Sequence, residues 1–270
     1  MSLDNTMLKT SHFFTRGWCQ FESDPELLKW IESALPIARS AVAEPDNAKW
    51  LRCGETWFAG VNILPNTSDG SVGSGPPLGG DAVDFIAQAL ELSGFDWDKA
   101  QVSICYPGYP QPMSTETDAA FKFRRYRDAA HVDGLLPEGP NRRRFLREWH
   151  GFILAIPLLD YDSDASPFVI WEGSHEVVRE AFESLFKNRS PDEWTSIDVT
   201  DAYHDVRRRI FKTCRRVEIA VKPGEAYLVH RLALHGVAPW MAAQDSTCRE
   251  RMICYFRPET GAIGQWLNDP

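Results

Sequence analysis

The stretch AYLVHRLALHGVAPW, residues 226–240, decides the fold of this chain. It follows the turn-forming segment KPGE at 222–225, opens with strand-forming residues at Ala226–Val229 and ends in a His-Gly turn. Two histidines, His230 and His235, lie within it. Because side chains alternate between the two faces of a strand, a regular strand cannot direct both imidazoles inward.

A second motif, HVDG at residues 131–134, lies earlier in the chain. In an extended strand His131 and Asp133 would project to one face, so both could reach the same metal ion. One late histidine would complete a two-histidine, one-carboxylate set, which binds one face of an Fe(II) octahedron and leaves three positions open. His235 follows Asp133 by 102 residues, which fits ligands on an early and a late strand of a double-stranded β-helix.

From Gln101 onward the sequence is typical of an antiparallel β fold. Short segments rich in β-branched and aromatic residues recur, mostly separated by turn-forming residues. The segments are Val102–Tyr106, Gly151–Leu158, Pro167–Trp171, Arg216–Val221, Ala226–Val229 and Arg251–Phe256. Helical insertions are predicted after Ser174 and around Asp198–Phe211. Short strands with long insertions favour a closed or sandwiched β fold over a βαβ array.

The N-terminal part has a helical pattern instead. Asp24 and Pro25 predict the N-cap and first turn of a helix that Pro36 interrupts. A second helix is predicted from about Asp81 to a stop at Gly94.

The sequence predicts one domain. We find no linker between the helical and the β-rich parts. Residues 1–270 are therefore expected to form a single domain, with residues 1–100 as a helical part packed on a β core at residues 101–260.

Four stretches carry a family resemblance. They are HVDG at 131–134, PFVIWEGSHE at 167–176, HRLALHGVAP at 230–239 and the basic segment RERMICYFRPE at 249–259. In this order they resemble the phytanoyl-CoA dioxygenase-like family of Fe(II)/2-oxoglutarate-dependent oxygenases. The resemblance implies a mainly β fold with flanking helices around a double-stranded β-helix, the cupin-like jelly roll. It also implies Fe(II) as cofactor, and 2-oxoglutarate and O₂ as co-substrates.

The resemblance assigns roles to individual residues. The family's late histidine lies in an H-x-x-x-x-H-G setting, which makes His235 the third iron ligand beside His131 and Asp133. No catalytic side chain is expected beyond this metal centre. Halogenating members replace the carboxylate with a small residue, so Asp133 implies hydroxylation or a related oxidation. The Gly-Ser-His turn is architectural in the family, so His175 is not expected to bind iron, and Ser174 is expected to cap a helix.

The family also implies an arginine that binds the distal carboxylate of 2-oxoglutarate. Arg249, Arg251 and Arg257 share one parity on the strand after the late histidine. Arg257 lies about 20 Å beyond Arg251 along an extended strand, which predicts that it is too far from the metal end. Arg251 directly precedes the apolar run MICYF and is the preferred anchor, with Arg249 as the alternative.

Composition excludes several classes of function. The chain carries 29 Lys and Arg against 38 Asp and Glu, a net charge of −9, which disfavours binding to nucleic acid or anionic membranes. No apolar run approaches the roughly 20 residues of a membrane span. The first ten residues lack a signal-peptide pattern, and six dispersed cysteines favour neither disulfides nor a thiolate zinc site. A cytoplasmic protein is expected.

Three basic clusters lie on this acidic chain, at 121–127, 141–147 and 207–216. The first interpretation is a solvated face paired with local acids. The alternative is that the first two clusters recognise an anionic substrate, with Tyr126 and Arg127 near the mouth of the pocket.

The sequence therefore predicts a dioxygenase that hydroxylates an unactivated C–H bond of a small organic substrate and forms succinate and CO₂. This substrate is anionic if the basic clusters recognise it. The alternative is a non-catalytic metal- or ligand-binding protein of the same fold, since fold alone does not secure activity. Metal-assisted hydrolysis at a Zn²⁺ ion is a weaker third hypothesis, because it leaves the arginine anchor without a use. The sequence leaves the oligomeric state open.

Overall fold

Twelve β-strands and seven α-helices make up the part of the chain described by the computed structural model, residues 3–269, with side chains from residue 5 onward. The strands are β1 (Trp18–Phe21), β2 (Leu51–Arg52), β3 (Trp57–Phe58), β4 (Gln101–Cys105), β5 (Leu135–Glu138), β6 (Arg143–Leu146), β7 (Phe152–Pro157), β8 (Phe168–Trp171), β9 (Arg216–Ile219), β10 (Ala226–His230), β11 (His235–Val237) and β12 (Arg251–Phe256). The helices are α1 (Leu3–Arg16), α2 (Pro25–Ala43), α3 (Asp81–Ala89), α4 (Asp118–Tyr126), α5 (Ser174–Phe186), α6 (Thr200–Thr213) and α7 (Gln265–Asn268). Residues 1, 2 and 270 of the predicted domain lie outside the described residues.

The strands form two antiparallel sheets and one hairpin. The larger sheet has the order β1-β10-β7-β12-β4-β3-β2, the smaller has the order β11-β8-β9, and β5 pairs with β6. Side chains from the two sheets pack together, with Phe168 of β8 lying 5.0 Å from Tyr227 of β10 and 6.1 Å from Tyr255 of β12 between ring centroids. The predicted jelly-roll class, mainly β with flanking helices, is confirmed.

The alternation of side chains explains why the central strands are apolar on both faces. On β10, Tyr227 and Val229 point into the space between the sheets, whereas Ala226 and Leu228 pack in a separate core beneath the N-terminal helices. A sheet covered on both faces buries every residue of its central strands. All six residues of β7 and all six of β12 are accordingly buried.

The first hundred residues contribute helices and also three strands. Strand β1 extends one edge of the larger sheet by pairing with β10, and β3 pairs with β4 near the other edge. The prediction that Pro36 interrupts the first helix is wrong, because α2 continues through it to Ala43. A proline removes one hydrogen bond, and the burial of Trp30, Ala34 and Ala38 on either side holds the helix together.

The other predicted helices are present with adjusted ends. Helix α3 begins at Asp81 as predicted but ends at Ala89, where Leu90 N–H donates to Phe85 O. The two predicted insertions are α5 and α6, which pack against each other and against the outer face of β8. Within residues 3–269, no helix has the length and apolar character needed to cross a lipid bilayer.

Candidate metal centre and cavity

The side chains of His131, Asp133 and His235 converge at one end of the space between the sheets. One possible ligand atom from each lies within 4.8 Å of the others. Nε2 of His131 lies 3.2 Å from Oδ1 of Asp133, and Nε2 of His235 lies 3.6 Å from the same oxygen. The three residues predicted from the HxD motif and the late His-Gly turn are therefore brought together.

An isolated antiparallel bridge places the two histidines side by side. His131 N–H donates to His235 O at 2.8 Å, and His235 N–H donates to His131 O at 3.0 Å. The prediction of a regular strand for HVDG is wrong, since only His131 is in the bridge and a turn begins at Asp133. Gly134 makes this turn possible, because its φ is +81° and a Cβ there would lie 2.0 Å from Glu148 O.

The main chain fixes the orientation of both imidazoles in the same way. Nδ1 of His131 lies 2.9 Å from Ala129 O, and Nδ1 of His235 lies 2.9 Å from Ala233 O. A carbonyl accepts a hydrogen bond, so Nδ1 carries the proton and Nε2 presents a lone pair toward Asp133. Among the described residues Nε2 of His235 is buried without a hydrogen-bond partner, which is the state expected of a metal-ligating nitrogen.

The electrostatics favour the ligand form of both buried groups. Burial alone would raise the pKa of Asp133, but Arg257, His235 and His131 together hold it well below its usual range. Burial lowers the pKa of His235, which outweighs the nearby carboxylate. An ionised carboxylate and a neutral imidazole are the forms that bind a divalent metal, so the residues present fit such an ion.

Arg257 is the outer partner of Asp133, and the prediction that it lies too far from the metal end is wrong. Its Nε donates to Oδ2 of Asp133 at 2.6 Å, and its Nη1 donates to Oε1 of Gln101 at 2.6 Å. The strand-length argument assigned the metal to the wrong end of β12, and it compared main-chain positions only, whereas the side chains of Arg251 and Tyr255, four residues apart on this strand, meet at 2.8 Å. The triad lies beside the C-terminal end of this strand.

Arg251 lies on the same strand, farther into the space between the sheets. It is fully buried, and its Nη2 donates to Tyr255 Oη at 2.8 Å. Its guanidinium also lies 5.6 Å from the ring of Tyr161. Its Nε and Nη1 have no acceptor among residues 5–269. A buried guanidinium with two unmet donors is costly in isolation and fits a pocket for an anion.

Phe168 contacts both His235 of the triad and Tyr255, the residue that bonds Arg251. Its ring stacks on His235 with a centroid distance of 5.4 Å and an interplanar angle of 13°, and it packs on Tyr227 and Tyr255. Tyr227 and Tyr255 join their hydroxyls at 3.2 Å. The alternative anchor, Arg249, is exposed before β12 begins and does not enter this space.

The remaining histidines near these motifs lie on the other side of the larger sheet. Nε2 of His230 lies 3.1 Å from Nη2 of Arg179, and Nδ1 of His230 accepts from Leu232 N–H. His175 is buried beside it and bonds Phe14 O through Nε2 at 2.9 Å. Both side chains are structural, as the parity of the strand and the Gly-Ser-His turn predict.

Ser174 has a different role from the predicted helix cap. The N-cap of α5 is Gly173, and Ser174 is the first residue of the helix. Its Oγ accepts a hydrogen bond from Leu234 N–H at 2.8 Å in a fully buried position. This contact fixes the main chain immediately before His235.

Substitution of Ser174 by alanine is expected to destabilise the fold by about 1–3 kcal/mol, because the buried N–H of Leu234 loses its acceptor. Urea unfolding of the metal-free protein measures this change. Ser163→Ala, which removes an exposed hydroxyl, is the matched control. A loss of stability no larger than that of the control would contradict the assigned role.

A cavity of about 770 Å³ opens onto the triad. Its walls include residues from the N-terminal part as well as from the predicted core. Those with polar or aromatic side chains outside the triad are Trp50, Arg52, Trp57, Asn62, Asp96, Asp98, Gln101, Ser103, Glu148, His150, Phe168, Tyr255, Arg257 and Glu259. None of them was predicted to line the site. Phe168, Tyr255, Arg257 and Glu259 lie within the quoted motifs but were given no role there, and the others lie in no recognisable motif and are assembled by the sheet from distant segments.

Asp98 is a partly buried carboxylate in this wall. Its Oδ1 accepts a hydrogen bond from the backbone N–H of Arg257 at 2.8 Å. Burial raises its pKa to about 6, although the Arg257 hydrogen bond and the charges of Arg257 and His150 act in the opposite direction.

This shift predicts a pH-dependent stability. The pKa of Asp98 is about 6 in the fold but 3.8, the ordinary value of an aspartate, in the unfolded chain, so the wild-type protein loses stability through this group as pH rises from about 4 to about 6. The free energy of unfolding of Asp98→Asn is expected to rise by about 1–3 kcal/mol relative to that of wild type across that pH interval. Urea unfolding at several pH values tests this, with exposed Asp245→Asn as control. A difference in unfolding free energy between Asp98→Asn and wild type that does not change with pH would contradict the expected ionisation of Asp98.

The basic clusters do not line this cavity. Arg124 is paired with Glu116, Arg143 with Asp198 and Asp201, and Arg147 with Glu138. For these three arginines the expected pairing with local acids is present. Tyr126 and Arg127 are absent from the cavity wall, so the expectation that they lie at its mouth is wrong.

Comparison with known proteins shows similarity in structure only. No family model matches the sequence, and no curated protein matches it. The non-heme alpha ketoglutarate dependent carbocyclase SnoK from nogalamycin biosynthesis superposes with a TM-score of 0.51 at 15% identity, covering 96% of this chain and 83% of that one.

Two further structures are similar at lower TM-scores. The epimerase SnoN, in complex with Fe³⁺, alpha ketoglutarate and nogalamycin RO, has a TM-score of 0.48 at 14% identity, covering 100% of this chain and 91% of that one. EctD from S. alaskensis with bound Fe has a TM-score of 0.48 at 15% identity, covering 95% of this chain and 75% of that one. The likeness to SnoK shows a shared fold, and the narrower resemblance to the phytanoyl-CoA dioxygenase-like family stays a prediction.

Proposed function

We propose that this protein is an Fe(II)/2-oxoglutarate-dependent dioxygenase that hydroxylates a C–H bond of a small organic substrate. The observation that carries the proposal is the convergence of His131, Asp133 and His235, with a buried and unpartnered Nε2 on His235, at the inner end of a large cavity. The solved structure with the same fold is named as an alpha ketoglutarate dependent enzyme, which agrees with this proposal.

His131, Asp133 and His235 would hold the Fe(II), with 2-oxoglutarate and O₂ as co-substrates. A two-histidine, one-carboxylate set leaves positions open for both. Bound there, the metal and its co-substrates supply the oxidising chemistry, in which 2-oxoglutarate is converted to succinate and CO₂ as the substrate is oxidised.

The chain's own residues orient the ligands. The carbonyls of Ala129 and Ala233 hold the proton of each imidazole on Nδ1, which directs both Nε2 lone pairs toward the metal position. Arg257 binds Oδ2 of Asp133, so Oδ1 faces the two histidines. The carboxylate is thereby presented through one oxygen.

Arg251 would bind the distal carboxylate of 2-oxoglutarate. Its Nε and Nη1 are available donors in a buried position, and arginine suits a carboxylate because its planar donors bind both oxygens. The hydroxyl of Tyr255 already holds Nη2 and keeps the guanidinium extended. The ring of Phe168 packs on His235 and Tyr255 beside this position.

Succinate formation tests the proposal directly. Protein supplied with Fe(II), ascorbate, O₂ and 2-oxoglutarate is expected to form succinate slowly without substrate and faster with one. His131→Ala protein prepared in the same way is the control. Metal binding without any succinate would favour the alternative, a non-catalytic protein of the same fold.

Loss of the Arg257 side chain is expected to weaken Fe(II) binding about 10–100-fold, which is typical when a residue that hydrogen-bonds to a metal ligand is removed. Arg257→Met keeps the bulk of the side chain but removes its bond to Asp133. Titration with Co(II), followed by its visible ligand-field spectrum, measures affinity and coordination geometry together. Arg257→Lys should recover part of the affinity, and exposed Arg249→Met should bind as wild type. An unchanged spectrum and affinity in Arg257→Met would contradict the positioning role.

A further inference from the structure

The charge of the cavity wall is strongly unbalanced. Outside the triad and its partner Arg257, the wall contains four carboxylates, those of Asp96, Asp98, Glu148 and Glu259, and one guanidinium, that of Arg52. The guanidinium of Arg52 lies over the ring of Trp50 at 5.4 Å from its centroid. The negative excess lies around the space that a substrate would occupy.

Asp98 and Glu148 are the inner members of this acidic wall. Arg257 N–H bonds Oδ1 of Asp98, while Oδ2 accepts no hydrogen bond from any residue between 5 and 269. Oε2 of Glu148 lies 3.2 Å from Nε2 of His150, and its side chain is 45% exposed. Both carboxylates line the cavity and retain capacity to accept further hydrogen bonds.

His150 does not reverse this balance. Burial lowers its pKa, but the hydrogen bond to Glu148 and the charge of Asp133 outweigh burial and raise the pKa above its usual value. Even when His150 is protonated, the four carboxylates outnumber the two cations that the wall contains outside the triad and Arg257, namely His150 and Arg52.

An independent feature shows that this wall belongs to a ligand site. His235 has a side chain only 2% exposed, and its unpartnered Nε2 points into the same cavity. The carboxylates thus surround the space in front of a candidate metal centre and are not simply a group of acids on the surface.

Apolar side chains form the other part of the wall. Val61 and Leu136 line the cavity although they are 41% and 40% exposed. The indole of Trp57 is held in place by a hydrogen bond that its Nε1 donates to Ser103 Oγ. Exposed aliphatic groups beside a cavity favour contact with an apolar ligand surface. An indole face also attracts a cation.

We propose that the substrate is a small organic cation, an amine with an apolar or aromatic body, whose ammonium group is bound by Asp98 and Glu148 while the body packs on Trp57, Val61 and Leu136. This inference rests on the proposed function and names the substrate class of the same site. It replaces the anionic substrate considered from sequence, since the two basic clusters that suggested it do not line the cavity and Arg124, Arg143 and Arg147 are paired with local acids.

Matched probes that differ only in charge test the inference. Two series are used, one with a phenyl and one with an indole body, each ending in an ammonium (2-phenylethylamine, tryptamine), a hydroxyl (2-phenylethanol, tryptophol) or a carboxylate (phenylacetate, indole-3-acetate). Their affinities are measured by calorimetry under anaerobic conditions with protein saturated with Fe(II) and 2-oxoglutarate. The ammonium member is expected to bind at least about tenfold more tightly than the hydroxyl member, and the carboxylate member most weakly.

Substitutions locate the preference. Asp98→Asn and Glu148→Gln are each expected to reduce the ratio of ammonium affinity to hydroxyl affinity about tenfold or more. Glu183→Gln, which changes an exposed side chain on α5, is the matched control and should leave this ratio unchanged. In every sample the charge-transfer band of the Fe(II)–2-oxoglutarate protein is recorded first. Wild-type protein without the band contradicts the proposed function itself. Wild-type protein with the band in which the ammonium member is not preferred in either series, including wild-type protein that binds no probe, contradicts the cationic substrate alone.

Discussion

Replacement of Asp133 by alanine is expected to abolish Fe(II) binding and succinate formation. The carboxylate is the only anionic group among the three converging side chains, and both Nε2 atoms approach its Oδ1. Its removal leaves two imidazoles beside the cation of Arg257 and no anionic ligand, which disfavours a divalent ion. The loss in affinity should exceed the roughly 10–100-fold that follows removal of an outer partner.

Thermal unfolding separates this effect from a folding defect. A ligand present at about 100 times its Kd stabilises the folded state by about 2.7 kcal/mol. Added Fe(II) should therefore raise the Tm of wild-type protein and of the exposed control Asp245→Ala, but not of Asp133→Ala. A metal-dependent rise in Tm that persists in Asp133→Ala would show that this carboxylate is not a ligand.

Replacement of Arg251 by methionine is expected to weaken 2-oxoglutarate binding by about 100-fold or more while Fe(II) binding is retained. The substitution removes the two free donors that would bind the distal carboxylate, and charge-assisted pairs in buried positions have effects of this size. The triad is untouched, because Arg251 contacts Tyr255 and not the metal ligands.

The fold should tolerate this substitution. A fully buried guanidinium with two unmet donors carries a desolvation cost, and an apolar side chain of similar volume often leaves stability unchanged or improves it. Urea unfolding without ligand should therefore give at least the wild-type free energy. Arg249→Met is the control. If Arg249→Met loses affinity for 2-oxoglutarate and Arg251→Met does not, Arg249 and not Arg251 binds the distal carboxylate.

The triad could be predicted from sequence because its evidence is local. The i, i+2 spacing of His131 and Asp133 and the different parity of His230 and His235 each limit where a side chain can point. The structure adds a reason for the glycine after His235, since a Cβ on Gly236 would lie 2.1 Å from Asp128 O. Such constraints act over a few residues and leave a pattern in the sequence.

The role of Arg257 could not be predicted in the same way. The end of β12 that faces the triad depends on how β12 pairs with β4 and β7. That pairing is set by the packing of the whole sheet. For the same reason the bond from Arg257 to Asp133, across 124 positions, has no local signature.

The cavity wall was the least predictable part. Trp57 and Asp98 come from the N-terminal part, where strands as short as the two residues of β3 give no alternating pattern. They reach the site because β3 pairs with β4 and because Asp98 lies just before β4. The charge of the wall, and with it the proposed cationic substrate, follows from this assembly.

Anaerobic titration of the protein with Fe(II) and then 2-oxoglutarate tests the central claim most directly. Chelation of iron by the 2-oxo acid gives a weak visible metal-to-ligand charge-transfer band. We expect this band in wild-type protein, its loss in His131→Ala and Asp133→Ala, and its appearance only at much higher 2-oxoglutarate concentration in Arg251→Met. Wild-type protein that shows no band at saturating iron and 2-oxoglutarate would contradict the assignment of this site as an Fe(II)/2-oxoglutarate centre.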